Sequence, residues 1–397
     1  MINILLFLNL FGLFGGYASL LSDELGNAGG LYKIIWFFIY FLNVVFISKN
    51  FMESKFSISN IVLIFSFYIA FSFLWSVIPQ ETFIYSVSVI VNIFSAFYFA
   101  RKIPFDILVK LLHGFLFFYI LTGLLLAVIG MEIAFYIDPL ERGNIIGLPL
   151  VKGLFSHKIY AGFYGVFFLI LTMIQPLSRV RYWSSILLAF SSVFISGSTL
   201  SIMLMVIFTA FYSYFFIVNR VRYRQVFHTA LFCFSVSIAY FGFNYSADIL
   251  IALGRDPTLT GRSELWAFGL DFWAQKPLLG WGYSGIFSDV ENAPSWIIND
   301  HAYYQAPHFH NAFIQSLAEL GVIGFLFLMY FVVQIVSKVD VIVETRDKAI
   351  YLRAFNVSML LIFFFMNIGL RYNEFMTFYI FLMYCYISKG KLKSEIN

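Results

Sequence analysis

Histidines just before a long apolar run are the residues of this chain best suited to proton transfer. His308 and His310 precede one such run, His301 lies shortly upstream, and His157 opens an earlier run. The pKa of histidine is close to neutrality, so modest shifts decide its charge, and general acid or base catalysis is the favoured role. There are two alternatives. The first is a zinc site, which would need a fourth ligand that the spacing does not supply. The second is a structural role in which His310 caps the helix that follows it.

Two Gly-Arg pairs stand in the segment from residue 253 to residue 263. The fork-shaped guanidiniums of Arg255 and Arg262 suit a phosphate or pyrophosphate group, and the glycines beside them permit a close approach of the backbone. Salt bridges to neighbouring carboxylates are the alternative, because residues 245–308 contain seven Asp or Glu and three Lys or Arg. Glycine patterns of the kinds that bind nucleotides are absent from the sequence.

The apolar run after His310 predicts the helix that would position these groups. At about 100° per residue, Gly321 falls almost in line with His310, and Gly324 lies close to that line. Glu319 points to the opposite side. Glycines at this spacing allow a neighbouring helix or a lipid chain to approach. We expect a long apolar helix over residues 309–336, with Glu319 roughly 13 Å along it from His310 and in need of a partner.

The composition places these groups in an integral membrane protein. Hydrophobic residues make up 61% of the 397 residues and charged residues 12%, and the mean hydropathy is +0.86. Apolar runs of about 17 to 25 residues recur along the chain, which is the length that a membrane-spanning helix needs. Backbone groups in lipid must be paired within the segment, so the predicted fold class is all-α, a polytopic helix bundle. Cys233 and Cys385 fall within such runs and are interpreted as packing residues.

The apolar runs organise residues 1–397 as a single membrane domain. With both termini in the cytoplasm, 17 of the 25 Lys and Arg residues lie on the inner side, in agreement with the positive-inside rule. The basic residues left on the outer side are candidates for function, and they are Lys33, Arg142, Lys152, Lys158, Arg255, Arg262, Lys276 and Arg371. The twelve predicted spans are residues 2–22, 31–48, 58–78, 83–100, 107–130, 158–176, 182–196, 199–218, 226–244, 309–336, 350–370 and 373–388.

Two long outer segments, residues 131–157 and 245–308, separate these spans. The second lies between spans nine and ten and holds four of the seven tryptophans. Aromatic rings anchor a segment at the membrane surface and stack on sugar or acyl surfaces. Residues 261–277 interleave apolar and charged side chains, which predicts a short helix along the interface. We therefore expect an extracytoplasmic lid that forms part of the candidate site. An ordered connecting loop is the alternative.

A hydroxyl-rich break separates predicted spans seven and eight. Residues 182–217 are too many for one crossing and allow two short ones joined at Ser196-Gly197-Ser198. A break of this kind is tolerated in a membrane where it lines a cavity. A turn on the outer surface is the alternative.

The stretch that starts at His310 resembles a signature of the O-antigen ligase and polymerase superfamily, and within it the rhizobial-type exopolysaccharide polymerases. The family pattern is His-Asn-x9-Gly-x-x-Gly, and it is matched by His310, Asn311, Gly321 and Gly324. Residues 258–266 (Thr-Leu-Thr-Gly-Arg-Ser-Glu-Leu-Trp) and 277–282 (Pro-Leu-Leu-Gly-Trp-Gly) extend the resemblance. Residues 153–162 are similar to a weaker Gly-x-Phe-x-His motif, with Ile159 where the family usually has Asn.

Members of this superfamily transfer a glycan from a polyprenyl pyrophosphate carrier to an acceptor hydroxyl at the outer face of the bacterial inner membrane. The resemblance implies that His310 activates or orients the hydroxyl and that Arg262 with Arg255 stabilises the departing pyrophosphate. It implies a metal-independent glycosyltransferase without a cofactor. The partners that it implies are the lipid-linked oligosaccharide, membrane lipid and a chain-length regulator. It implies no binding of nucleic acid. The other predicted substrate-binding residues are Asn311, Lys158, Arg142, Glu319 and Arg371.

One departure from the family favours a polymerase, which extends a lipid-linked repeat unit. Ligases often have Ser-x-Ser-Arg between spans seven and eight, where residues 196–199 read Ser-Gly-Ser-Thr. Arg142, Lys158 or Arg371 could supply the missing positive charge. An O-antigen ligase that uses lipid A core as the acceptor is the first alternative. A flippase is more remote, because transporters place polar features near the midplane in repeated halves, and a docking role is the weakest.

Overall fold

The computed structural model of the protein describes residues 1–21, 29–52, 58–137, 147–218, 220, 225, 262–287 and 308–394. Thirteen α-helices lie within these ranges. They are α1 (Ile2–Leu13), α2 (Gly16–Leu21), α3 (Gly30–Met52), α4 (Asn60–Phe71), α5 (Pro79–Lys102), α6 (Phe105–Val128), α7 (Lys158–Ile174), α8 (Arg179–Ile195), α9 (Thr199–Val218), α10 (Arg262–Gln275), α11 (Ala312–Ser337), α12 (Arg346–Ile362) and α13 (Phe375–Ser394).

The all-α prediction is confirmed for the described residues, where extended backbone pairs only in one bridge between Phe135 and Val151. Five of the described helices, α3, α5, α6, α9 and α11, are long and apolar enough to cross a membrane, and α1, α4, α7 and α13 are shorter apolar helices. This set agrees with a multi-pass membrane protein. The count of twelve spans stays a prediction, because span nine (226–244) and most of the loop 245–308 lie outside the described residues.

The last helix, α13, forms the centre of the bundle. All of its residues from Phe375 to Ile387 are buried, as expected for an apolar helix that protein surrounds on every side. Asn92 on α5 donates from its side-chain amide to the Tyr372 carbonyl at 2.9 Å. This bond holds the chain just before α13, where Arg371 is located.

The helix that follows the histidines differs from its prediction in two respects. It begins at Ala312, so His310 lies outside it, and it is interrupted at Gly321, where φ is 63° and ψ is −169°. The helix covers most of the predicted span 309–336, but the predicted alignment of His310 with Gly321 on one helical line is wrong. Glycine accepts this left-handed backbone without the clash that a Cβ would bring.

Predicted span eleven is also shorter than its apolar sequence indicates. α12 ends at Ile362, and residues 363–374 form a non-helical segment, the α12–α13 connector. Backbone groups of the connector bond to other elements. The Phe363 carbonyl accepts from the Ala312 N–H at 2.8 Å, and the Leu370 carbonyl accepts from the Tyr283 hydroxyl at 2.6 Å. Irregular backbone is tolerated at membrane depth where protein surrounds it.

The break between predicted spans seven and eight is confirmed, since α8 ends at Ile195 and α9 begins at Thr199. Serine hydroxyls attach this break to α7. Ser192 donates to the Ala161 carbonyl at 2.7 Å, and the Ser201 hydroxyl, which donates to Ser198 Oγ at 2.9 Å, lies 3.3 Å from the Ile159 carbonyl. The break also contributes to the lining of a small cavity of about 10 Å³.

Candidate active site

A short loop over residues 308–311 leads into α11 and holds the two histidines. Its second residue, Phe309, is fully buried and is fixed through both of its backbone groups. The Phe309 N–H donates to the side-chain oxygen of Gln315 at 3.0 Å, and the Phe309 carbonyl accepts from the indole N–H of Trp266 at 3.0 Å. α11 and α10 thus hold the loop from two sides, which gives the histidines a preorganised support.

His310 occupies a backbone conformation that residues other than glycine rarely adopt, with a φ of 52°. Its N–H donates to Nδ1 of His308 at 3.1 Å, so a neutral His308 carries its proton on Nε2. The two rings lie edge to face, with centroids 4.1 Å apart. Backbone strain of this kind costs about 1–3 kcal/mol and clusters at functional sites. The strained residue here is the one that the sequence motif singles out.

Burial and nearby positive charge keep His310 neutral. Removal from water is the largest cause of a fall in the pKa of His310 to about 4, and Arg262, His157 and Arg371 add to that fall. Burial, followed by Arg371, lowers the pKa of His308 well below its usual value. A neutral imidazole can accept a proton. The pKa shifts also show that basic groups from three other segments lie within electrostatic range of the loop.

Arg262 is the first residue of α10, which confirms a short helix within residues 261–277. Its Nη1 donates to the Phe365 carbonyl in the α12–α13 connector at 3.2 Å. Leu265 on α10 belongs to the same buried apolar cluster as Phe309. Arg262 therefore joins α10 to the connector beside the histidine loop.

A cavity of about 30 Å³ lies between α11, the connector and residues 283–287. It can hold about one or two water molecules. Arg371 lines the cavity and is partly buried. Within the described residues its guanidinium donates no hydrogen bond, and Glu374 and Glu319 act on it electrostatically. The buried hydroxyl of Ser316, which also lines the cavity, has no hydrogen-bond partner in the described part of the chain.

Glu319 lines this cavity, and its partner is an amide. Its Oε1 accepts from the side-chain nitrogen of Gln315 at 2.6 Å, and Gln315 in turn holds Phe309. Glu319 therefore lines the candidate site. The prediction that it points away counted His310 as a residue of the helix, whereas the helix begins at Ala312. His310 and Arg262 are not among the cavity-lining residues. His310 lies within electrostatic range of Arg371, which lines the cavity, and Arg262 bonds to the connector that carries Arg371.

The glycine motif of α11 was expected to admit a neighbouring helix or a lipid chain, and it admits a loop instead. Residues 277–282 dock against residues 318–323, and we name this contact the glycine junction. A Cβ at Gly280 would lie 2.5 Å from the Glu319 carbonyl oxygen, so the approach requires glycine. Four backbone hydrogen bonds hold the junction. The loop donates two, from the Trp281 N–H to the Ala318 carbonyl (3.0 Å) and from the Gly282 N–H to the Glu319 carbonyl (2.8 Å). α11 donates two in return, from the Val322 N–H to the Pro277 carbonyl (2.8 Å) and from the Ile323 N–H to the Leu278 carbonyl (3.4 Å).

Side chains from the α4 region complete the glycine junction. The Tyr68 hydroxyl lies 2.5 Å from the Leu320 carbonyl and 3.3 Å from the Leu279 carbonyl. Since a hydroxyl has one proton, the shorter contact is the stronger donor bond. The Trp75 indole N–H donates to the Leu279 carbonyl at 3.1 Å. The carbonyls that the break removes from helical pairing are thus satisfied by other elements.

The start of α7 brings His157 and Lys158 near Tyr136. His157 caps the helix, because its Nδ1 accepts from the Ile159 N–H at 3.1 Å. A neutral ring then carries its proton on Nε2, which donates to the Tyr136 hydroxyl at 2.8 Å. Lys158 is buried, with its ammonium 5.2 Å from the centre of the Tyr136 ring. A role for Lys158 in substrate binding stays a prediction.

Asn311 caps α11, so the alternative that His310 forms this cap is wrong. The Asn311 Oδ1 accepts from the N–H groups of Phe313 and Ile314 at 3.0 and 3.1 Å. This oxygen is engaged in the fold, and substrate binding by Asn311 stays a prediction. Within the described ranges, no group of three His, Cys, Asp or Glu could hold a metal ion. The predicted residues that lie outside the described ranges are Arg142, Arg255 and His301.

Three residues of the site were missed from the sequence. Gln315 and Ser316 are polar residues inside an apolar run, and their position one turn after the histidine loop is a signal that could have found them. Tyr283 lines the cavity and bonds to the connector. It resembles the other aromatic residues of its segment, so no signal in the sequence distinguishes it.

Comparisons with known proteins agree with the resemblance of the motifs. Residues 184–329 match the family model Wzy_C, described as O-antigen ligase, and this range includes Arg262, His310 and Glu319. An 85-residue alignment is 40% identical to the exopolysaccharide production protein ExoQ of Rhizobium meliloti (strain 1021). That alignment covers 20% of this chain and 19% of the relative, about a fifth of each. Residues 184–329 of this chain are therefore similar to the O-antigen ligase family, in agreement with the motifs.

Proposed function

We propose that the protein is a surface-polysaccharide polymerase. It transfers a glycan from polyprenyl pyrophosphate to the acceptor hydroxyl of a lipid-linked repeat unit at the outer face of the bacterial inner membrane. The observation that carries the proposal is a strained His310 whose pKa is lowered by burial and by two arginines from separate segments, Arg262 and Arg371. The family match and a relative named for exopolysaccharide production support it.

In the proposed reaction, His310 accepts the proton of the acceptor hydroxyl while the hydroxyl oxygen attacks the anomeric carbon. A bond forms between this oxygen and the anomeric carbon, and the bond from the anomeric carbon to the pyrophosphate oxygen breaks. Its electron pair leaves with polyprenyl pyrophosphate. The protonated His310 then releases its proton to water. General base catalysis of this type contributes about 100- to 10,000-fold in rate.

Binding of the donor would make His310 a stronger base. A pKa of about 4 in the free protein reflects, after burial, the positive charges of Arg262, His157 and Arg371. The negative pyrophosphate offsets these charges and raises the pKa of His310 toward neutrality. The same arginines stabilise the charge that builds on the leaving group, and one donor of this type accounts for about 100- to 1,000-fold in rate. The mechanism needs no metal ion.

The first test is His310→Gln at normal membrane levels. Loss of the general base is expected to abolish long-chain polymer and to leave single-repeat glycolipid. The matched control is His113→Gln on α6, where His113 is buried and Nε2 lies 3.1 Å from the Ser185 hydroxyl. Polymer length is expected to be normal in this control. Normal polymer length in His310→Gln would remove His310 from the mechanism.

An O-antigen ligase is the second candidate, because the matching family model carries that description. The two activities differ in their acceptor. A polymerase extends purified lipid-linked repeat unit that is supplied alone, whereas a ligase forms product only when lipid A core is added. Product that appears only with the core acceptor would replace polymerase by ligase and leave the proposed roles of His310 and the arginines intact.

A further inference from the structure

A groove of about 470 Å³ lies between α1 and α6, and it shares no lining residue with the cavity at Arg371. Aromatic pairs join the two helices. Phe7 contacts Phe115 with ring centroids 5.4 Å apart, and Phe11 contacts Tyr119 at 5.7 Å. From the first pair to the second, the residue number increases by four in both helices, so α1 and α6 run in the same direction. The groove is therefore a lengthwise channel with an apolar and aromatic lining.

Gly114 makes this groove deeper. It lies within α6, where glycine weakens a helix, and it lines the groove. Glycines in membrane helices usually bring two backbones together. A Cβ at Gly114, however, would meet no described atom within 4 Å. Within the described structure, the absence of this side chain leaves open space and no close contact.

A positive charge stands at one end of the groove. Lys110 is exposed, lines the groove and lies one helical turn before Gly114. Asn3 lines the same region near the start of α1. From Lys110 to Thr122, near the other end, α6 rises about 18 Å, which is close to the roughly 15 Å depth of one leaflet of the hydrocarbon core. The groove therefore has the length of one acyl chain and a cation where a headgroup would lie.

We propose that this groove binds an anionic phospholipid. One acyl chain lies along α1 and α6 in the space beside Gly114, and the headgroup phosphate lies at Lys110 with the Asn3 amide beside it. The charge at one end only gives the lipid a direction. The inference is independent of the glycosyltransferase proposal, because the groove and the candidate active site have separate linings.

The test measures lipid-dependent thermal stabilisation of the full chain in detergent. Because a ligand that binds the folded state raises the unfolding temperature, we expect dioleoylphosphatidylglycerol to act at lower concentration than dioleoylphosphatidylcholine. Gly114→Phe fills the groove and is expected to weaken phosphatidylglycerol binding by about tenfold or more. Lys110→Gln is expected to weaken it by about fivefold and to leave phosphatidylcholine unchanged.

Two control variants separate the groove from the rest of the lipid-facing surface. Leu125→Phe adds a ring on the exposed side of α6 outside the groove, and Arg179→Gln removes an exposed charge at the start of α8. Both are expected to bind phosphatidylglycerol as the wild type does. Equal binding of the two lipids by the wild type would overturn the proposal. Unchanged binding in Gly114→Phe or in Lys110→Gln would do so as well.

A second measurement does not depend on the folding of Gly114→Phe. A photoreactive phenylalanine analogue replaces Phe118, which lines the groove and is 67% exposed, and in a separate sample it replaces Leu125. Vesicles contain alkyne-tagged phosphatidylglycerol. Stronger cross-linking at Phe118 than at Leu125 is expected, and excess untagged phosphatidylglycerol should suppress it. Equal cross-linking at both positions would overturn the proposal.

Discussion

Two helix breaks in this molecule each have a glycine with a positive φ, and they differ in what satisfies the polar groups around them. Gly197 has a φ of 62° and Gly321 a φ of 63°. At Gly197, hydroxyls next to the break accept backbone protons: Ser196 from the Ser198 N–H, and Ser198 from the Ser201 N–H, both at 3.3 Å. At Gly321, the bonds come from the loop 277–282 and from Tyr68.

This difference separates a break whose N–H groups are served mainly by neighbouring hydroxyls from a joint whose hydrogen bonds come from distant segments. The serine break satisfies two of its N–H groups with its own hydroxyls, and its Ile195 carbonyl accepts one bond from outside, from the Val151 N–H at 3.2 Å. The glycine junction forms only when α4, the loop 277–282 and α11 have assembled, because each supplies part of the hydrogen bonding. The candidate active site lies at the second kind of break, where Glu319 supplies a carbonyl to the junction and a carboxyl group to the site.

Gly321→Ala is expected to have the largest effect. A methyl group there would overlap the Leu278 carbonyl, and the left-handed φ adds strain. We expect a loss of about 3 kcal/mol or more of unfolding free energy, together with loss of transferase activity. Denaturant titration of the purified protein in detergent measures the first effect. A variant as stable as the wild type would mean that the junction rearranges at little cost.

Tyr68→Phe comes next, because it removes the hydroxyl that serves the Leu320 carbonyl. A buried carbonyl left without its partner costs about 1–3 kcal/mol. Ser201→Ala at the serine break is the matched comparison, with an expected loss of about 1 kcal/mol. The same titration measures both. If Ser201→Ala proved the more damaging change, the ranking of the two breaks would be reversed.

Gly197→Ala is expected to cost about 1–2 kcal/mol, the strain of placing alanine in the left-handed region. Gly197→Asn should cost less, since asparagine enters this region more readily. Polymer length in cells is expected to remain normal for both. Loss of polymer at normal membrane levels would show that the serine break also supports the active site.

The smallest expected effect is a shift in the pH dependence of activity. It tests whether Arg262 acts on His310 through its charge, whereas the other variants test hydrogen bonding and backbone strain at the two breaks. A general base is active when deprotonated, and kcat/KM reports the free protein. With a His310 pKa of about 4, kcat/KM should hold above this pH and fall below it. Arg262→Gln removes a positive charge, raises the pKa of His310 and moves the acid limb upward by about one pH unit or less. A limb that moved downward would contradict the coupling.

Much of the fold could be predicted because its causes are local. The all-α class, the serine break and the short helix at residues 262–275 follow from apolar length and from the spacing of polar residues. The end of α12 at Ile362 could not be predicted, because residues 363–370 are mostly apolar and would suit a longer helix. Their carbonyls instead accept hydrogen bonds from Ala312, Arg262 and Tyr283. No local pattern records those partners.

The candidate site also has features that the sequence predicts and features that it does not. The types of its charged residues were informative, since Arg371 was singled out as a basic residue on the outer side and it lines the cavity. The left-handed backbone of His310 and the position of Glu319 were not predictable. Both depend on the helix beginning at Ala312, because the Asn311 side chain caps the helix there and leaves the histidine outside it.

The glycine junction has a consequence for the continuity of the chain. Residues 262–282 and 308–337 are held together by backbone bonds and by a shared apolar cluster, in addition to the covalent chain that connects them. A protein produced as two fragments, divided between residues 287 and 308, should reassemble in the membrane. Its two halves would then co-purify without a peptide bond between them.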